Sequence, residues 1–133
     1  GEFAETPKPG DPVFAQADFA IVASLPAAIA AAASAARRAG CEVVEWPVPL
    51  QGEVHPAARD FAARLRELAA ARGPKSAPLV VVAGGETTLR VAGRGLGGRC
   101  QEFAAVAAEG LAGSDGLTIL AAGTDGTDGP TPA

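Results

Sequence analysis

Methionine is absent from all 133 residues. Gly1 is therefore not expected to be a translation start, and Gly1-Glu2-Phe3 is either native or left by cloning. Thiols and imidazoles are scarce as well, with two cysteines and one histidine. Cys41 and Cys100 follow no metal-ligand spacing and His55 alone cannot complete a zinc set, so both cysteines are read as reduced structural thiols. Positive charge is outweighed, 11 Lys and Arg against 15 Asp and Glu, for a net charge of -4. That balance lacks the basic face by which proteins grip nucleic acid. No run approaches the roughly 20 apolar residues that span a bilayer, and no basic stretch followed by an apolar block opens the chain. The absences together predict a cytoplasmic protein with neither a nucleic-acid nor a membrane partner.

What is present suits a folded domain. A hydrophobic content of 48% with 20% charged residues marks a globular chain, and the length allows one compact core. Residues 1–17 carry Pro7, Pro9, Gly10 and Pro12 with few apolar groups and read as a linker. Residues 18–133 read as the α/β domain, divided into a connecting part, 18–78, and a second part, 79–133.

Within it the elements alternate. Residues 19–23 form a short apolar run predicted as a strand. Ser24 then caps a helix whose first turn tolerates Pro26 and whose alanine-rich body, 27–39, ends in Arg37, Arg38 and the helix-stopping Gly40. Valine-rich residues 41–46 predict a strand ended by Pro47 and Pro49, with Trp46 in the core. The 50–55 segment reads as a loop, which leaves His55 on the surface, remote from the later motifs. Phe61, Leu65 and Leu68 share one face of a predicted helix over 56–72. The remaining prediction is strands over 79–83, 88–92 and 117–122 and a helix over 99–111. Such alternation implies a layered α/β fold with a mostly parallel sheet and helices on both faces.

Ligands of parallel sheets gather at the carboxyl ends of strands, and the informative loops lie there. One is Gly84-Gly85-Glu86-Thr87-Thr88; another is Gly123-Thr124-Asp125-Gly126-Thr127-Asp128-Gly129. Glycines let backbone N–H groups approach anionic oxygens and threonines add donors, so Gly84, Gly85, Thr87, Thr124 and Gly126 suit phosphate. Asp125 and Asp128 can hold a hard cation or accept a proton from a hydroxyl, or form an acidic turn that satisfies its own backbone. Glu86 is either a substrate or water orienter or an ion-pair partner of Arg99. Gly93-Arg94-Gly95-Leu96-Gly97-Gly98 fits the G-x-G-x-x-G pattern ahead of a helix. The only acidic residue near the distance expected for a ribose ligand, Asp115, falls in a turn, which counts against nicotinamide. Arg99 at the helix start opposes the dipole and calls for an anion, either a transferring phosphoryl group or a carboxylate such as Glu86 or Glu102. Gln101 and Glu102 read as helix-capping residues.

Three runs in order, Gly84-Gly85-Glu86-Thr87-Thr88, Gly97-Gly98-Arg99-Cys100-Gln101-Glu102-Phe103 and Gly123-Thr124-Asp125-Gly126-Thr127-Asp128-Gly129-Pro130-Thr131, resemble the C-terminal domain of the class II glycerate kinases, the MOFRL family. Glu5-Thr6-Pro7-Lys8-Pro9-Gly10-Asp11 resembles their connecting segment. The resemblance implies part of a larger two-domain kinase that uses ATP and Mg2+ to phosphorylate D-glycerate at the 2-hydroxyl, with a homodimer possible. By that likeness Arg99 and Asp125 are catalytic, the first on phosphate and the second on the attacking hydroxyl or metal. From their chemistry Gly97, Gly98, Glu86 and the glycines and threonines above are expected to bind substrate or phosphate, and Asp128 to bind metal. Some members carry the name hydroxypyruvate reductase, so an NAD(P)H enzyme and a non-catalytic anion-binding domain stand as alternatives. Cys100 takes the place of the family's usual asparagine. Family members are also much longer, with a large N-terminal domain carrying a functional lysine and a further segment after the aspartate loop, so this polypeptide alone is expected to be inactive.

Overall fold

The computed structural model describes residues 5–131; Gly1-Glu2-Phe3 lies outside them. Residues 5–28 are exposed throughout. They include a 3-10 helix, Pro12–Phe14, capped by the Asp11 carboxylate on Val13 N–H at 3.0 Å. Residues 19–23, expected as a strand, join no sheet among the described residues. Phe19 and Val22 stand 87% and 96% exposed, because a strand exists only where another strand answers its backbone groups.

Helix α1, Leu25–Arg38, begins as the cap predicts: the Ser24 hydroxyl accepts from Ala27 N–H at 3.3 Å. It ends at Gly40, whose φ of 83° only glycine adopts easily. Strand β1, Glu42–Glu45, follows and pairs in parallel with β3, Leu79–Val82. A second parallel pair joins β2, Leu50–Glu53, to β4, Gly85–Thr88. The two pairs are successive halves of one ribbon. Trp46 N–H still reaches Val82 O and Leu50 N–H reaches Gly84 O, but the four residues from Trp46 to Pro49 oppose only Ala83 and Gly84. Pro47 and Pro49 have no N–H to offer, so the ladder breaks and bulges there.

The helices cover both faces of this ribbon. Ala83 packs toward the main core, whereas a β carbon on its neighbour Gly84 would meet Leu25 and Ile29 of α1. On the other face lies α2, Val54–Ala70, which packs on α3, Arg99–Gly110. Val54, Ala58, Phe61, Ala62, Phe103, Ala107 and Leu111 form the buried core there. Phe61 is its centre, 4.8 Å from Trp46 and 5.6 Å from Phe103 between tilted rings, an arrangement aromatic quadrupoles favour. Gly110 keeps the helices close, since a β carbon there would sit 2.9 Å from that of Ala62.

Several boundaries differ from the sequence reading. The expected loop over 50–55 contains β2 and the start of α2, and the expected loop over 84–88 contains β4. The strand expected over 88–92 is absent, since the ladder ends at Thr88. Residues 117–122 are extended, with Leu117, Ile119 and Ala121 against the core and Leu120 exposed. They alternate as a strand does, yet no strand among the described residues pairs with them. Among the described residues no helix is long and apolar enough to cross a membrane.

Candidate functional site

The start of α3 is the point where two glycine-rich segments meet. Its N-cap, Gly98, has no side chain to satisfy the first N–H groups, which every helix leaves without internal partners. Asp128 supplies the acceptors from 28 residues away: Oδ1 accepts from Cys100 N–H and Oδ2 from Gln101 N–H, each at 2.8 Å. The backbones touch as well. A β carbon on Gly98 would collide with the Asp128 carbonyl, and one on Gly129 with the Gly97 carbonyl. Gly129 also holds a φ of 68°, so glycine is required there twice over.

Burial pushes the Asp128 carboxyl upward, but the Cys100 and Gln101 N–H groups, aided by the Cys100 thiol and the Arg99 charge, outweigh it and hold the group below the usual aspartate value. The Cys100 thiol moves the other way. Burial first, then the neighbouring Asp128 charge, raise it and keep it protonated, in keeping with a structural rather than reactive cysteine.

Three residues before Asp128, the same loop presents Asp125 beside Arg99, with Nη2 and Oδ2 3.5 Å apart and the side chains 41% and 55% exposed. Gly126, at φ 80°, turns the chain, and Asp125 Oδ1 accepts from Thr127 N–H at 3.4 Å. Thr124 is exposed on this loop. At this separation and exposure the ion pair is loose and screened by water. It can open to take an anion.

The other expected partners go elsewhere. Glu102 accepts from His55 Nε2 at 2.6 Å; a carboxylate only accepts, so the proton lies on Nε2. His55, read as remote from the motifs, thus clips the first turn of α2 to that of α3, with Glu53 Oε1 3.8 Å from Nδ1. Glu86 is exposed in β4 opposite Gln51 and makes no ion pair among the described residues. Gly84 and Gly85 fit close contacts with α1 and with the Leu50 backbone. Thr87 is half-buried in β4, and the Thr88 hydroxyl donates to Gly52 O at 3.2 Å. Residues 85–88 are therefore sheet, not an open cradle. Arg99 and Asp125 converge; Glu86 does not join them.

The described residues hold no cluster of three metal-ligating side chains. Asp128, expected to bind metal, has both oxygens on α3, which leaves Asp125 as the freer carboxylate. Magnesium commonly takes one or two carboxylates and fills its shell with water and phosphate oxygens, so a single aspartate at the rim is compatible with it. A hollow of about 290 Å³ lined by Val44, Trp46, Pro47, Asp60, Arg64 and Leu68 shares none of these residues.

The loops of this parallel α/β scaffold bring a guanidinium and a carboxylate to one glycine-lined rim. Comparison with known proteins shows what the chain resembles. Residues 79–133 match the sequence profile of the MOFRL family. It is 40% identical over 102 residues to the D-glycerate 2-kinase of Thermotoga maritima, covering 77% of this chain and 24% of the relative. A crystal structure of glycerate kinase from the same organism superposes with a TM-score of 0.74 at 37% identity, over 81% of this chain and 26% of the other. A protein of Agrobacterium vitis that carries a hydroxypyruvate reductase name is 35% identical over 127 residues, 94% of this chain and 28% of the relative. The chain spans about a quarter of the length of these relatives.

Proposed function

We propose that this chain forms part of a glycerate kinase that transfers the terminal phosphoryl group of ATP to the 2-hydroxyl of D-glycerate with Mg2+. The observation that carries the reading is the exposed Arg99–Asp125 pair within a segment of MOFRL sequence. Phosphoryl transfer asks little covalent chemistry of a protein and much positioning and charge stabilisation. Arg99 meets the phosphoryl oxygens, its guanidinium leaving Asp125 as the anion arrives. Asp125, released from the pair, orients the attacking hydroxyl and accepts its proton. Gly97, Gly98, Thr124 and Gly126 line the approach. Magnesium, when bound, would be held by Asp125 through one carboxylate oxygen, the other being left to the hydroxyl, and would supply charge neutralisation at the phosphates. The length difference from the relatives supports a larger protein whose other parts bind nucleotide and complete the site.

Two features weigh against the reductase alternative. The G-x-G-x-x-G segment does not follow a strand directly, since β4 ends at Thr88. The helix N-terminus on which a dinucleotide pyrophosphate would rest is filled by the Asp128 carboxylate. The full-length protein, incubated with ATP, Mg2+ and D-glycerate and followed by 31P NMR, is expected to yield 2-phosphoglycerate. Reduction of hydroxypyruvate by NADH with no ATP consumed would overturn the proposal.

A further inference from the structure

We propose that Asp128 is the positioning residue of this rim: clipped to the first turn of α3, it anchors the aspartate loop so that Asp125 stands against Arg99. The inference deepens the kinase reading and rests on it for its meaning in turnover.

The lengths of the contacts rank the two aspartates. Asp128 makes two charge-assisted bonds of 2.8 Å to backbone N–H groups, in the range of strong hydrogen bonds. Asp125 is held only by longer contacts, 3.4 Å from Thr127 N–H and 3.5 Å from Arg99, and the turn beneath it, Gly126 N–H to Gly123 O, is also 3.4 Å. The loop is thus fixed at Asp128 and compliant at Asp125. Two further contacts secure the fixed end: Gly129 pressed on the Gly97 carbonyl, and Gln101 Nε2 donating to Thr131 Oγ1 at 3.0 Å.

The clip also settles how an anion is received. A helix N-terminus attracts anions through its free N–H groups and dipole, and here a carboxylate of the chain itself already sits there. An incoming phosphoryl group meets Arg99 instead, with Asp125 as the group it displaces. Asp128 touches no substrate in this scheme; it acts through Asp125.

The test uses the isotope-labelled 133-residue chain and two NMR readouts, amide exchange at Cys100 and Gln101 and the Arg99 Nε–H resonance. In Asp128→Ala both amides should exchange about tenfold faster or more, while Ala107, in the body of α3, keeps its rate. The Arg99 resonance should move to the position it takes in Asp125→Asn. Asp128→Asn keeps one acceptor oxygen and should release only one of the two amides, a graded result that general unfolding does not give. Should Asp128→Ala fail to fold, the Asn variant carries the test. Unchanged exchange at both amides, or an Arg99 resonance left at its wild-type position, would overturn the proposal. These signals do not depend on turnover, so failure of the kinase assay and failure of the clip are separately visible.

Discussion

Asp125 and Asp128 lie three residues apart in one loop, yet the 2.8 Å bonds of one and the 3.4 to 3.5 Å contacts of the other give them different work. The depressed acidity of Asp128 has a consequence in solution. Its folded pKa lies below its unfolded one, so the clip stabilises the fold fully above the ordinary aspartate value of about 3.9. That contribution is lost as pH falls through the lower folded value. Thermal melts taken from about pH 6 down to about pH 2 should show a steeper acid decline in the wild type than in Asp128→Asn, which has no proton to bind there. Parallel declines in the two proteins would contradict this account of Asp128. Residue chemistry alone did not reveal the arrangement: the motif exposes two aspartates, but which one meets a helix is decided by a contact 28 residues distant.

Helices were the legible elements. Ser24, the alanine run and Gly40 specify α1 from local signals, and the spacing of Phe61, Leu65 and Leu68 marks the buried face of α2. Strands were legible only where a partner was also present. The strands that composition predicts over 41–46 and 79–83 form because their valines pair with one another. Residues 19–23 and 117–122 have strand composition and no ladder, whereas β2, with Gln51, Gly52 and Glu53 exposed, has a ladder and little strand composition. The place of His55 is not legible for the same reason, since its bond to Glu102 spans 47 residues. The α2–α3 interface is the element-level structure on which the rim rests. Phe61→Ala, which removes the ring touching both Trp46 and Phe103, should cost about 3–5 kcal/mol by denaturant unfolding. A loss below about 1 kcal/mol would show that the aromatic cluster is not the centre of the core.

At the scale of the whole molecule, the proposed function gives the chain one wall of a site. It covers about a quarter of its relatives' length; residues 117–122 extend without a strand partner among the described residues, and Phe19, Ile21, Val22 and Leu120 stand exposed. The rim nevertheless forms within this segment, because α3, its Asp128 cap and the 123–129 loop are all internal to it. The parts that bind nucleotide belong to the proposal, and so do the assembly and the compartment. Its centre is the exchange of Asp125 for a phosphoryl group at Arg99. The most direct measurement is therefore kcat for ATP and D-glycerate in the full-length protein with Arg99→Ala against wild type. A fall of about 10³-fold, with KM for glycerate little changed, is the result expected of a guanidinium that acts on the transferring group. Turnover within about twofold of wild type would remove Arg99 from the chemistry, and the proposed function with it.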